Sequence, residues 1–258
     1  MSEDSLGDRM KGYEIAAWTT LPRRMPVVLR VDGKAFHSYT KGLARPFDEP
    51  LCQAMDTVAL SLCAEVQGAQ LAYVQSDEIS VLIHGYKRLS SQPWFGNDVQ
   101  KMVSCAAAEV SSRMTEVSPT VFGRMKRAKF DARVFVVPEN DVCNYFLWRQ
   151  QDARRNSVQM VTRSMFSDQQ CFQRDITAMK EMCASKGVLW DELPTYQRYG
   201  RCARRVPYDH QGTERHRWEI DREIPLFSDD RSYVERYLPV EAESDLQARS
   251  PAAIVDQR

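Results

Sequence analysis

The sequence has few of the patterns that hold metal ions or build disulfide frameworks. Its seven cysteines form no C-x-x-C pair and have no histidine at ligand spacing, and its four histidines are dispersed. This distribution argues against a zinc site and against a disulfide-stapled fold. Several cysteines have apolar neighbours, which favours buried, reduced thiols and a reducing compartment.

An excess of charge and a long hydrophobic run are also missing. Lys plus Arg and Asp plus Glu number 35 each, so the overall charge gives no argument for or against a polyanionic partner. No apolar run approaches the roughly 18 residues of a membrane span. The opening residues, MSEDSLGDRM, contain acids and lack the apolar segment of a signal peptide. We therefore expect a cytoplasmic protein without membrane contact.

What the sequence does have is an alternation of strand-like and helical patterns. Apolar residues recur at helical spacing in two stretches, 48–66 and 97–114. Runs rich in β-branched residues cover 26–32, 69–75, 79–85 and 129–138. The resulting order, β-α-β-β-α-β, is that of ferredoxin-like domains.

We therefore predict an α+β fold, a ferredoxin-like βαββαβ polymerase palm with additional helices and a small C-terminal extension. The palm and an N-terminal helix would occupy residues 1–138. A helical and irregular part at 139–240 would pack on the palm, and 241–258 would form a flexible tail.

Three acids stand where this topology brings two strands together. Asp32 ends the first predicted strand, and Asp77 and Glu78 begin the third. Taken singly, each is an ordinary turn residue. In a ferredoxin-like sheet, however, these strands are adjacent and antiparallel, so the acids share one edge and would repel one another unless a cation lay between them. Oxygen ligands suit Mg²⁺. We therefore predict two Mg²⁺ ions held by Asp32, Gly33 and Asp77, with Glu78 as a further catalytic acid.

The residues after Asp32 suit a nucleotide triphosphate. A glycine at position 33 lets the backbone approach a metal and lets the following N–H groups face phosphates. Positive side chains to complete the phosphate site are available at Lys41, Arg45 and Lys101.

Four segments resemble, in order and spacing, signature motifs of the tRNA-His guanylyltransferase superfamily. They are RVDGKAFH, YVQSDEIS, FDARVFVVP and YFLWRQQDARRNS, which are similar to R-[IV]-D-G-x-x-F-H, Y-x-Q-S-D-E, F-D-x-R and W-R-Q-x-D. The likeness covers roughly residues 5 to 205. It is strongest to the bacterial and archaeal-type branch, the Thg1-like proteins.

The resemblance implies a 3′-to-5′ nucleotidyltransferase that extends the 5′ end of tRNA with GTP or another templated nucleotide, after activation with ATP or GTP. It also implies Mg²⁺ and a homotetramer. By position, Asp32 and Asp77 match the metal-binding aspartates, and Gly33 matches the glycine that supplies a carbonyl. Residues that match the nucleotide-binding positions are Lys34, Ala35, Phe36, His37, Arg45, Ser76 and Lys101. Asp152 and Asn156 fall in the segment associated with activation and tRNA contact.

One departure from the family pattern concerns substrate choice. Where guanylyltransferases acting on tRNA-His have H-I-N-N, this sequence has Arg154 to Ser157, RRNS. The resemblance then implies repair of 5′-truncated tRNAs rather than strict addition to tRNA-His. The family's R-K-G segment appears as RYG at 198–200, without its lysine.

Local basic clusters are candidates for tRNA binding despite the neutral total charge. They are RMKRAK at 124–129, RYGRCARR at 198–205 and the pair Arg154 and Arg155, from which we select Arg154, Arg155, Arg198 and Arg201. Arginines beside aromatic residues can follow a phosphate backbone and stack on unpaired bases.

Two other functions fit parts of the pattern. A nucleotide cyclase uses the same palm and metals, although no GGDEEF-like turn is present and SDE occupies that position. A non-catalytic tRNA-binding protein could have the same fold, although it would have no use for paired acids that a metal must neutralise.

Overall fold

The computed structural model describes residues 5–85 and 91–238. Its strands are β1 Val27–Gly33, β2 Ala69–Gln75, β3 Glu78–Ile83, β4 Phe130–Val136, β5 Arg201–His210 and β6 Thr213–Asp221. Its helices are α1 Leu6–Ile15, α2 Phe36–Tyr39, α3 Glu49–Glu65, α4 Val99–Phe122, α5 Glu139–Met165, α6 Asp168–Cys171, α7 Ile176–Ser185, α8 Thr195–Tyr199 and α9 Ser232–Glu235. The predicted tail at 241–258 lies outside the described residues.

The strands form one antiparallel sheet in the order β4-β1-β3-β2-β5-β6. The predicted α+β palm is confirmed, with β1 and β3 adjacent and Asp32 opposite Glu78 in the register. The predicted small C-terminal extension is larger than expected and contains two strands, because β5 and β6 form a hairpin whose first strand pairs with β2. The sheet is therefore continuous across residue 138.

Helices cover both faces of the sheet. Alternate strand residues such as Leu29 and Val81 pack against α3 and α4, whereas Val28 and Leu82 belong to a second cluster with Phe146 of α5. This alternation follows from the two-residue side-chain period of a strand. Asp32 and Glu78 have the same parity as Val28 and Leu82, so their side chains lie on the α5 face.

The helix boundaries have local chemical causes. Asp48 caps α3, accepting a hydrogen bond from the Leu51 N–H at 3.0 Å. The helix α4 runs eight residues beyond its predicted end at 114, through Pro119. Pro119 has no N–H to donate to the Thr115 carbonyl, and the Ser118 hydroxyl donates to that carbonyl instead at 2.7 Å. This replacement lets the helix continue where composition predicts a stop.

Membrane-spanning helices are not found in the described part of the chain, where every helix is too short or too polar to cross a bilayer.

Candidate active site

Asp32, Gly33 and Asp77 meet at one end of the sheet. Asp77 lies in a two-residue turn between β2 and β3, in which Ser76 has a φ of +47°. A Cβ added to Gly33 would lie 2.6 Å from Oδ2 of Asp77 and 2.4 Å from the Phe36 ring. The Asp77 carboxylate therefore lies in the space that a side chain at position 33 would fill.

The electrostatics of Asp77 favour a bound cation. Burial raises the pKa of this carboxyl to about 6, hydrogen bonding by Ser76 lowers it, and the negative charges of Asp32 and Glu78 raise it further. A half-buried acid that faces other carboxylates is stabilised in its charged form by a positive ion. The structure thus gives a physical reason for the sequence-predicted metal site.

The donor set fits magnesium better than a softer metal. The predicted ligands at this end of the sheet are two carboxylates, from Asp32 and Asp77, and the Gly33 carbonyl. Within 5–85 and 91–238, no group of three or more His, Cys, Asp or Glu side chains is arranged to hold a metal. Mg²⁺ usually binds through one or two carboxylates and completes its shell with water and phosphate oxygens.

Glu78 pairs with an arginine, although the sequence predicts a catalytic acid at this position. Its buried carboxylate accepts hydrogen bonds from Arg149 Nε at 2.8 Å and Arg149 Nη2 at 2.7 Å, and Arg30 Nε lies 3.9 Å away. Although Glu78 is opposite Asp32, an arginine rather than a metal balances its charge. Sequence reasoning missed Arg149, because no sequence signal pairs residue 149 of a helix with residue 78 of a strand.

The same arginine connects Glu78 to the predicted activation segment on α5. Arg149 Nη2 donates to Asp152 Oδ2 at 2.8 Å, Arg155 forms a close ion pair with Asp152, and Asn156 Nδ2 lies 3.4 Å from Asp152 Oδ2. Arg154 is exposed and takes no part in these bonds. Asp152, Arg155 and Asn156 are thus brought together.

Two clefts meet at Asp77. Cleft A, of about 880 Å³, lies between the segment 36–48, the start of α3, α5 and α8. Cleft B, of about 600 Å³, lies between the end of the sheet and α5, where Arg30, Asp32, Trp148 and Asp152 line it. Asp77 and Asn156 line both clefts. Two reactants could therefore approach the acids from opposite sides.

Most of the predicted nucleotide-binding residues border cleft A. His37, Arg45 and Ser76 line it with Phe36, whose ring is buried against Tyr39 and Phe130. Lys34 and Ala35 are exposed in the turn before α2. Ala35 has a φ of +53°, so this turn places a non-glycine residue in the left-handed region.

Lys101 does not belong to this group. It lies in the first turn of α4, which begins at the far end of the sheet and runs back until Phe122 packs on Tyr39. At 1.5 Å per residue, Lys101 is about 30 Å along the helix from that contact. Its predicted role at the nucleotide is wrong within a single chain, because a β-α-β crossover starts its helix away from this end.

The basic segment 124–129 lies beside the site instead. The Lys34 N–H donates to the Lys129 carbonyl at 2.9 Å, and the Lys126 ammonium contacts the Tyr39 carbonyl. Arg124, Arg127 and Lys129 are exposed. The positive charge expected from Lys101 is supplied at this end by a loop that follows α4.

The second basic cluster is partly internal. Arg201 is 3% exposed and forms an ion pair with Asp56 and a 3.0 Å hydrogen bond to the Cys52 carbonyl. Its predicted contact with tRNA is excluded by this burial. Arg198 is half-buried, with its guanidinium 5.0 Å from the Tyr199 ring centre.

Known proteins of one family resemble this chain in sequence and in fold. The profile of the Thg1 family, tRNAHis guanylyltransferase, matches residues 7–138. A solved bacterial tRNA(HIS) guanylyltransferase (Thg1)-like protein in complex with ATP is 41% identical, covers 92% of this chain and 100% of that chain, and has a TM-score of 0.85. A bacterial Thg1-like protein in complex with GTP is 40% identical, with a TM-score of 0.77, and covers 91% of this chain and 99% of its own.

The human probable tRNA(His) guanylyltransferase is 30% identical over 142 residues, which are 51% of this chain and 45% of that relative. The chain thus spans about half the length of the curated tRNA(His) guanylyltransferases that it matches. The family profile covers half of the chain, and the bacterial structures cover nearly all of it. The chain belongs to the tRNA(His) guanylyltransferase family, whose members are nucleotidyltransferases.

Proposed function

We propose that this protein is a 3′-to-5′ nucleotidyltransferase that repairs the 5′ end of truncated tRNA. The observation that carries the proposal is the meeting of Asp32, Gly33 and Asp77 at one end of the sheet, where Asp77 lines both clefts. The bacterial relatives solved with ATP and with GTP support nucleotide binding. A cyclase, or a protein that only binds RNA, does not require two clefts that meet at a predicted metal ligand, as they do at Asp77.

The reaction has two transfers. In the first, an oxygen of the tRNA 5′-monophosphate attacks the α-phosphorus of ATP, and pyrophosphate leaves. In the second, the 3′-hydroxyl of GTP loses its proton and attacks the activated 5′-phosphate, and AMP leaves. Two Mg²⁺ ions held by Asp32, Asp77 and the Gly33 carbonyl would neutralise the negative charge that develops on the reacting oxygens.

The chain's own residues bind and orient the reactants. Cleft A is assigned to the incoming nucleotide, because His37, Arg45 and Ser76 line it and can contact a triphosphate, while Leu51 and Met55 offer an apolar lining for a base. The exposed turn at Lys34 and Ala35 directly precedes this lining. Cleft B is assigned to the tRNA 5′ end. Arg154, Arg155 and Arg198, with the basic segment 124–129, would contact the tRNA backbone.

The segment at 154–157 supports a broad choice of tRNA. Its side chains serve local contacts: Arg155 pairs with Asp152, and Ser157 Oγ accepts a hydrogen bond from Trp190 Nε1 at 3.0 Å. With no histidine here, we assign selection to base pairing between the incoming nucleotide and the opposite acceptor strand.

The proposal extends to assembly and location. A homotetramer is supported by the family resemblance and by α1, which exposes Leu6, Met10 and Tyr13 and buries no residue. Light scattering on the purified protein should give the mass of four chains.

All seven cysteines are free thiols, which agrees with a cytoplasmic location.

The proposed activity is tested with labelled tRNAs that lack their first nucleotide. With ATP, Mg²⁺ and the four nucleoside triphosphates, we expect extension of tRNA-His and of several other truncated tRNAs, in each case by the nucleotide complementary to the opposite strand. Addition to tRNA-His alone would contradict the repair assignment. No extension of any tRNA, with or without ATP, would contradict the activity itself.

Replacing Gly33 by alanine should impair catalysis. The new methyl group would lie 2.6 Å from Asp77 Oδ2, so either the carboxylate or the Phe36 ring must move. Misplacement of a reacting group by about 1 Å can reduce the rate by roughly 100-fold. Single-turnover extension at saturating GTP measures this loss. Gly123→Ala is an unsuitable control because of its φ of +66°. Gly85→Ala, at the other end of the sheet, would meet only ordinary contacts at 3.6 Å and 3.8 Å and should leave the rate unchanged.

A further inference from the structure

Trp148 is exposed at the edge of cleft B although its size and chemistry favour burial. Its side chain is 51% exposed, while Trp94 and Trp190 are buried. It lies on α5 directly before Arg149 and lines cleft B with Asp32 and Asp77. An exposed tryptophan beside a reaction site offers a ligand both an apolar ring face and an N–H donor.

Neighbouring side chains fix the orientation of the Trp148 ring. The Arg149 guanidinium lies 4.4 Å from the Trp148 ring centre, and the Tyr145 ring packs at 5.9 Å with an interplanar angle of 65°. Arg149 is itself held by Glu78, and the Tyr145 hydroxyl lies 3.0 Å from Ser80 Oγ. An indole that is already ordered loses little entropy when a flat ligand stacks on its free side.

The residues around Trp148 suit the end of a nucleic acid. Cleft B contains Arg30, Arg149 and Arg163 in addition to Trp148. The Arg30 Nε atom is buried and has no hydrogen-bond partner within the described residues, and its nearest acid, Glu78, is already engaged by Arg149. Guanidinium groups beside an aromatic ring can bind phosphate oxygens while the ring stacks on a base.

A mononucleotide is a weaker candidate for this surface. Cleft A provides an apolar lining of Leu43, Phe47, Leu51 and Met55 in which a single base can be enclosed. Cleft B is a shallower space of about 600 Å³ between a sheet end and a helix. An open, flat surface suits the end of a base-paired stem, which presents one aromatic plane and continues away from the protein.

We propose that, before the incoming nucleotide binds, Trp148 stacks on the terminal base pair of the tRNA acceptor stem and so holds the 5′-phosphate beside Asp32 and Asp77 for activation. The inference rests on the proposed function and adds a residue to it. Trp148 is a substrate-binding residue in this assignment, and it takes no part in bond making.

The first test separates binding of RNA from binding of nucleotide. Loss of stacking on one base typically costs 1 to 3 kcal/mol, so Trp148→Ala should raise the KM for truncated tRNA by roughly 5- to 150-fold. The KM for GTP and the kcat should stay within about two-fold of the wild type. Trp148→Phe should recover part of the loss. Trp18→Ala removes a tryptophan that is 59% exposed outside both clefts and should change neither KM.

The second test does not depend on catalysis. An RNA stem carrying 2-aminopurine in its terminal pair is titrated with protein without nucleotide or Mg²⁺. Wild type, Trp148→Phe and Trp18→Ala should quench the fluorescence, and Trp148→Ala should not. Trp148→Leu keeps an apolar side chain over Arg149 but cannot stack as an aromatic, so it should resemble alanine in this assay and the wild type in thermal unfolding.

The outcomes distinguish the inference from the function on which it rests. Equal quenching and equal tRNA KM in wild type and Trp148→Ala, with extension intact, would overturn the role of Trp148 alone. Normal behaviour of Trp148→Leu would also overturn it, because the effect of alanine would then be one of packing. Quenching that depends on Trp148 in a protein that extends no RNA would support the stacking surface and contradict the proposed activity.

Discussion

Replacing Asp77 by asparagine should nearly abolish nucleotide addition in a protein that remains folded. Asparagine has the same shape, but it lacks the negative charge that would hold a cation next to Gly33 and Asp32. Metal ions supply several kcal/mol of charge stabilisation in such transfers. At about 1.4 kcal/mol per factor of ten, we expect a rate loss on the order of a thousand-fold in single-turnover extension of truncated tRNA.

The control variant changes another acid at the same end of the sheet. Asp131 of β4 lies opposite Asp32 in the register, but its exposed side chain pairs with Arg133 at 3.3 Å. Asp131→Asn should reduce the rate by less than about ten-fold, because surface ion pairs contribute little. Equal losses in the two variants would mean that negative charge at this end, rather than Asp77 itself, supports the reaction.

The same substitution should stabilise the metal-free protein at neutral pH. Burial and neighbouring acids raise the pKa of Asp77 to about 6 from 3.8, so the folded state binds the extra proton between these values. In wild type the free energy of unfolding should therefore fall by about 2 to 3 kcal/mol as pH rises from about 4 to about 7. This contribution is absent in Asp77→Asn.

Urea denaturation in the presence of EDTA measures the difference. We expect the two proteins to converge near pH 4 and Asp77→Asn to be the more stable near pH 7. Added Mg²⁺ should then stabilise wild type near pH 7 and leave Asp77→Asn unchanged, because only the wild-type site gains a ligand. Parallel pH curves, or an equal response to Mg²⁺, would contradict the assignment of Asp77 as a metal ligand.

Arg149→Ala should destabilise the fold more than any surface substitution. Arg149 is 5% exposed, and its loss would leave the buried carboxylate of Glu78 without its bidentate partner. Removing one member of a buried ion pair typically costs 3 to 5 kcal/mol. For a chain of this size we expect the melting temperature to fall by roughly 10 °C.

Two further variants identify the cause of this loss. Arg155, whose side chain is 58% exposed, is a second partner of Asp152. Arg155→Ala should lower the free energy of unfolding by less than about 1 kcal/mol. The double variant Arg149→Met with Glu78→Gln removes both charges of the pair and should be more stable than Arg149→Ala, because the Glu78 carboxylate is no longer left without its bidentate partner. A double variant that is as unstable as the sum of its parts would assign the loss to packing around Trp148 instead.

The sequence predicts the palm and the meeting of Asp32 with Asp77, because both follow from element order and from the fixed topology of a ferredoxin-like sheet. It does not predict the partner of Glu78, since that contact joins elements 71 positions apart. It also misplaces Lys101 and Arg201. Composition identifies basic residues, but only the direction of a helix or the register of a strand decides which end or which side of the sheet they occupy.

The continuous sheet has a consequence for how the protein can be divided. The family profile ends at residue 138, yet β5 pairs with β2, and Arg149 of α5 neutralises Glu78 on β3. A fragment ending at 138 would expose the hydrogen-bonding edge of β2, uncover Leu71 and Tyr73 and remove the arginine that pairs with Glu78. The part of the chain that the family profile matches is therefore not expected to fold alone, and a gene truncated there should yield insoluble protein rather than a minimal enzyme.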